Sequence, residues 1–136
     1  NVMRPRTDKI EISGNLLTGV FHIYIFKQDN AYIAYCPSID LAVSGNSIQN
    51  AEESLQESMS IHLDYQIKNK VLLKDLKKHK WKVRYLIKNK KSRWLTGFFY
   101  FGSYVKYILV TRPTLIQSKL EIQYNKGNLS PTKNNC

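Results

Sequence analysis

Cysteine is nearly missing from this 136-residue chain, and the two present, Cys36 and Cys136, stand a hundred positions apart. That is neither a disulfide framework nor the paired spacing of a metal site, so nothing requires an oxidising compartment and a cytoplasmic location is expected. Long apolar runs are missing as well. The most apolar stretch, residues 95–110, is interrupted by Gly97 and Gly102 and falls short of the ~20 residues a spanning helix needs, which argues against a membrane protein. The opening Asn1-Val2-Met3-Arg4 has no long apolar run behind its basic residue, so no ordinary secretory signal is expected in it. Acids are few, 10 against 21 Lys+Arg, for a formal net charge of +11. Hydrophobic residues are plentiful: at 43% they suffice for a packed core and exclude wholesale disorder.

The charge is unevenly divided. Residues 1–75 carry 7 basic and 9 acidic side chains, a formal −2, whereas residues 76–136 carry 14 basic ones and only Glu121, a formal +13. Most aromatics lie in the later part too, including Trp81, Trp94 and the run Phe98 to Phe101. The chain is thus a mildly acidic stretch to residue 75 followed by a basic aromatic one, and it is read as an α+β module over residues 1–87 with a basic aromatic extension over residues 88–136.

Within the module, β-branched and aromatic residues alternate from Val20 to Lys27, which predicts a strand. Gln28-Asp29-Asn30 supplies turn chemistry, and Ala31 to Cys36 returns as the second arm of a hairpin that Pro37 ends. Leu41 to Val43 reads as a short third strand, closed by Ser44-Gly45-Asn46. Ser47 is a helix N-cap, and Ile48, Ala51, Leu55, Met59 and Leu63 trace one apolar stripe to about Lys68. Glu53, Glu57 and Asp64 fall on the opposite side. Val71 to His79 predicts a shorter helix, and Trp81 to Ile87 a fourth strand. In the extension, a hairpin centred near Gly102-Ser103 is expected, and residues 125–136 read as a disordered polar end.

Between Ile10 and Val83 the chain carries Tyr32-Ile33-Ala34-Tyr35-Cys36-Pro37, then Ile39-Asp40-Leu41, Gly45-Asn46-Ser47, Ala51-Glu52-Glu53-Ser54-Leu55 and Leu76-Lys77-Lys78-His79-Lys80-Trp81. In this order and spacing they resemble the HicB family of bacterial antitoxins, from type II toxin-antitoxin systems. The resemblance implies an α+β fold: a small antiparallel sheet in the order β-β-β-α-β, partially ribonuclease-H-like, one face covered by a helix. It implies no catalysis, no metal and no cofactor. The implied partner is a HicA-like toxin, a small basic RNA-cleaving protein whose active face the antitoxin covers. Gln49 and Asn50 stand where family members place acids, so the reciprocal capping bond is expected to be weaker or lost. Residues 88–136 show neither a helix-turn-helix nor a ribbon-helix-helix pattern, which leaves operator DNA as a possible partner only through general basicity.

Candidate partner-binding residues are accordingly Tyr32, Tyr35, Asp40, Glu53, Glu57 and Asp64. The acids suit a cationic partner, and one tyrosine of the alternating pair is expected to pack on the helix while the other faces an open side of the sheet, a binding surface or dimer seam. Asp40 could instead bond its own turn backbone. Open sheet edges favour self-association, so a homodimer or higher oligomer is expected. Lys77, Lys78, Lys80, Lys82 and Arg84 would meet phosphates in the alternative reading, a nucleic-acid-binding protein acting through its basic half. Trp81 is read as a core anchor. His22, His62 and His79 lack the paired spacing of ligands or acid-base groups, and Cys36 reads as a buried small hydrophobe. A ribonuclease-H-like enzyme would need several carboxylates converging on metal ions, whereas these acids lie mainly along one helix face.

Overall fold

The alternation that predicts a strand at 20–27 extends well beyond it. In the computed structural model, which describes residues 7–85, 92–97 and 113–124, the long strand β2 runs Leu16–Gln28. It is preceded by β1 (Asp8–Ser13) and followed by β3 (Ala31–Cys36), β4 (Leu41–Gly45), α1 (Ile48–Lys68), α2 (Leu72–Lys78), β5 (Lys82–Tyr85), β6 (Ser92–Gly97) and β7 (Thr114–Gln123). The class is α+β: an antiparallel sheet with a helix packed on one face. The hairpin expected near Gly102-Ser103 and the polar end at 125–136 lie outside the described residues.

β2 organises the sheet. Val20 pairs with both Lys9 of β1 and Lys119 of β7, and Tyr24 with both Tyr35 of β3 and Leu115 of β7. A strand has only two edges, so β1 and β3 must follow one another along the same edge of β2 while β7 takes the other. β4 extends the sheet beyond β3, and β6 then β5 extend it beyond β1. Among the described residues the sheet has seven strands, where four are read within residues 1–87. β6 and β7 lie beyond residue 87, so the sheet draws on both sides of the expected module boundary.

Side-chain alternation sorts the two faces. Leu17, Phe21, Ile23 and Ile25 of β2 join Ile10, Ile12, Ala34, Cys36, Leu120 and Ile122 under α1, which contributes Ala51, Leu55, Met59, Leu63 and Ile67. Each large member of that stripe stabilises the fold by about 1.5–3 kcal/mol through burial. Ile48 drops out of the expected stripe and is 40% exposed. Gln56 Nε2 donates to Ser118 Oγ at 3.1 Å, tying α1 to β7.

Ser47 caps α1 as expected, its hydroxyl accepting from the Asn50 backbone at 3.0 Å. The reciprocal bond survives in shifted form: Asn50 Oδ1 accepts from the backbone of Asn46 at 3.0 Å, one residue before the cap. Both helices end in the same way. Val71 N–H reaches Gln66 O while Lys70 N–H reaches Ile67 O, and Trp81 N–H reaches Leu76 O while Lys80 N–H reaches Lys77 O. These are paired C-terminal closures that need a left-handed residue. Lys70 (φ 60) and Lys80 (φ 71) fill those positions.

Candidate functional site

The outer face of α1 holds Glu53 and Glu57, both exposed. Asp64 is half-buried and bridges Lys68 at 2.9 Å, an exposed intrahelical pair worth only about 0.3–0.5 kcal/mol. Between and beyond these acids stand Ile61, 63% exposed, and Tyr65, 64% exposed. Glu53, Glu57, Ile61 and Tyr65 follow at intervals of four, which stacks them along one side of the helix. The side expected to carry Glu53, Glu57 and Asp64 is therefore acidic at its start and also apolar further along, at Ile61 and Tyr65. Sequence reasoning missed Ile61 and Tyr65 because it followed the buried stripe; continuing the four-residue step past Glu57 reaches both.

The tyrosines alternate as expected. Tyr32 lies on the helix side, partly buried against the main core, with Lys27 Nζ 5.9 Å from its ring centre. Tyr35 lies on the far face, where it forms a second buried cluster with Tyr24 and Phe26. That face is not open at Tyr35, which is 1% exposed; the expected aromatic surface is corrected to a packed one. The Tyr35 hydroxyl donates to Asp40 Oδ1 at 2.7 Å, so Asp40 holds this tyrosine. Asp40 itself takes a left-handed φ of 50 in the turn, where its N–H reaches Pro37 O at 3.2 Å. The six candidate residues thus fall on three surfaces: Glu53, Glu57 and Asp64 on the helix, Tyr32 at the helix side of the sheet, Tyr35 with Asp40 beyond it.

The basic candidates gather around α2. Leu72 and Leu76 anchor this helix in the core, while Lys74, Lys77, Lys78, Lys80 and Lys82 are exposed. Arg84 lies on β5 opposite Trp94 of β6. Trp81 is buried as an anchor, its ring 6.1 Å from Phe21 and its Nε1–H donating to Ser38 O at 2.8 Å.

One polar group lies deep in the structure. Asp8 is 2% exposed and sits where β1 and β3 part from the shared edge of β2. There its Oδ1 accepts from the His22 backbone N–H at 3.0 Å and contacts His22 Nδ1 at 2.6 Å. Its Oδ2 accepts a short hydrogen bond from Ser38 Oγ, and Cys36 Sγ lies 3.5 Å from that same hydroxyl. Burial lifts the Asp8 carboxyl above the usual carboxylate range, and the Ser38 and His22 bonds pull it only part of the way back. Burial, reinforced by the neighbouring Asp8 charge, pushes the Cys36 thiol up, which keeps it protonated. Asp8 stands between His22 and Ser38, so the imidazole does not touch the hydroxyl and the order needed to activate a serine is not met. This is a junction that satisfies a gap in the ladder.

Among the described residues no His, Cys, Asp and Glu side chains are grouped to hold a metal ion. His62 is half-buried on α1, and His79 Nδ1 lies 2.9 Å from Asp75 O. No described helix is long and apolar enough to cross a membrane. Comparison with protein-family models, curated proteins and solved structures gives no significant match.

Proposed function

We propose that the chain is a non-catalytic binding module that covers a basic protein partner, in the manner of a HicB-like antitoxin masking a HicA-like RNA-cleaving toxin. The observation that supports this most is the outer face of α1, where exposed Glu53 and Glu57 run on into exposed Ile61 and Tyr65. Carboxylates steer a cationic partner and discriminate against wrong ones, and a central aromatic and aliphatic pair supplies the desolvated anchor that an interface needs. The resemblance over residues 10–83 supplies the class of partner in this reading, a HicA-like toxin.

The test is co-purification of the full chain with the product of an adjacent short reading frame encoding a small basic protein. Capture is expected together with loss of that protein's RNA cleavage, and combined Glu53→Lys and Glu57→Lys should slow association. Unimpaired RNA cleavage in the presence of excess chain would defeat the reading.

A second reading, nucleic-acid binding through the basic half, draws on the exposed lysines of the α2 region. Lys70 and Lys80 occupy left-handed positions that glycine would fill with less strain, so positive charge stands there despite the backbone cost. A binding titration on duplex and single-stranded DNA over several salt concentrations separates this reading from the preceding one.

A further inference from the structure

We infer that the outer face of α1 is self-complementary and that two copies of the chain pair through it, antiparallel about a two-fold axis beside Ile61. The inference goes beyond the toxin-masking reading and does not rest on it.

The charge along α1 changes sign from one end to the other. Exposed Glu53 and Glu57 lie in the N-terminal half of the outer face, while exposed Lys68 and Lys70 lie at and just past the C-terminal end of the helix and outnumber Asp64, which bridges Lys68. Exposed Ile61 and Tyr65 stand between them. In a two-fold pairing, each residue before the axis faces its counterpart beyond it on the other copy. With the axis beside Ile61, Ile61 packs on its own equivalent, Glu57 faces Tyr65, and Glu53 faces Asn69, which Lys68 and Lys70 flank in sequence. The Tyr65 hydroxyl can donate to the opposing Glu57 carboxylate, a charge-assisted bond. A parallel pairing would instead set acids against acids and lysines against lysines. Antiparallel packing also places each helix's partially positive end beside the other's partially negative one.

This arrangement gives the apolar pair an occupant without any other molecule, and it fixes the charge pattern that the occupant must have. Because the same Glu53 and Glu57 would receive a cationic partner, self-pairing and partner binding exclude one another on this face.

The test is sedimentation velocity of the full chain at about 100 μM, in the range where modest interfaces associate. Two exposed-site variants are compared, one carrying Glu53→Lys with Glu57→Lys and the other Lys68→Glu with Lys70→Glu. The wild type is expected to dimerise. Each variant alone, with one sign of charge at both ends of the helix, should self-associate at least about tenfold more weakly, and an equimolar mixture should recover a heterodimer. Ile61→Asp should also leave a monomer, with far-ultraviolet circular dichroism confirming that α1 is intact. A monomeric wild type, or charge variants that dimerise alone as strongly as the wild type, would overturn the inference. A wild type that stays monomeric and binds only an unrelated basic protein through this face would overturn it while leaving the toxin-masking reading in place.

Discussion

Asp8 Oδ1 lies 3.0 Å from the backbone nitrogen of His22 and 2.6 Å from its Nδ1, so one carboxylate oxygen serves where the β1–β3 edge of β2 has no neighbouring strand. β1 pairs with β2 up to Val20 and β3 takes over from Tyr24. A bare gap there would leave a backbone donor buried without an acceptor, at a cost of about 1–3 kcal/mol. Through Ser38, the same carboxylate also fastens the turn between β3 and β4.

The Asp8 carboxyl is raised in the folded state above its ordinary value of 3.8, chiefly by burial. The folded protein therefore holds this proton more tightly than the unfolded chain. Asp8's contribution to stability is fully present below 3.8 and declines as pH rises through the raised folded value. Asn at position 8 keeps one acceptor for His22 and a donor for Ser38 but does not titrate. Urea unfolding of wild type and Asp8→Asn across mildly acidic pH should show the wild type losing ground to the variant as pH rises. Parallel curves would mean that Asp8 does not titrate differently on folding.

Gly45 marks where β4 runs against the start of α1. A Cβ there would lie 2.6 Å from the Ala51 backbone nitrogen and 2.6 Å from Asn50 Oδ1. The first is backbone and cannot swing aside, and the second is already committed to Asn46. Gly45→Ala should therefore cost about 1–3 kcal/mol, the usual range for overpacking. Gly14→Ala is the control, since a Cβ at Gly14 meets nothing within 4 Å although φ is +62. Its cost should reflect backbone strain alone, about 1 kcal/mol. Equal losses would remove the steric account of Gly45.

Lys70 and Lys80 invite the opposite change. Both hold left-handed backbone at the end of a helix and both are exposed. A non-glycine residue costs about 1–2 kcal/mol in that conformation, partly offset in the glycine variant by greater freedom of the unfolded chain. Lys70→Gly and Lys80→Gly should each raise stability by a few tenths to about 1 kcal/mol, read as a shift of the urea midpoint. If the second reading holds, Lys80→Gly should also weaken DNA binding and flatten its salt dependence.

The centre of the fold was legible because periodicity and turn chemistry agreed there. The β2–β3 hairpin, the Pro37 stop, the Ser47 cap and the stripe of α1 each rest on contacts within a few residues. β1 was missed although Ile10 and Ile12 alternate, because the strand is short and Lys9 and Glu11 dilute its pattern. β7 alternates cleanly through Ile116, Ser118, Leu120 and Ile122, yet it lay inside a segment read for its charge. Its pairing with β2 is non-local, from Ile25 with Thr114 to Leu16 with Gln123, and no local signal names so distant a partner. The Asp8 junction was illegible for the same reason: its members come from β1, β2 and the turn after β3.

Trp81 and Asp8 hold opposite ends of one residue. Trp81 Nε1–H donates to the Ser38 carbonyl at 2.8 Å, while the Ser38 hydroxyl donates to Asp8. Trp81→Phe would keep an aromatic ring beside Phe21 but leave the carbonyl of buried Ser38 without this donor. A loss of about 1–3 kcal/mol is expected from that unpaired acceptor, beyond the smaller ring's lost packing. Because both residues fix Ser38, the double variant Asp8→Ala with Trp81→Phe should not show the sum of the single losses. Once either hold is released the turn can shift, and a coupling of about 0.5–3 kcal/mol is expected from a double-mutant cycle in urea. Strict additivity would show that the tryptophan anchors the core independently of the junction.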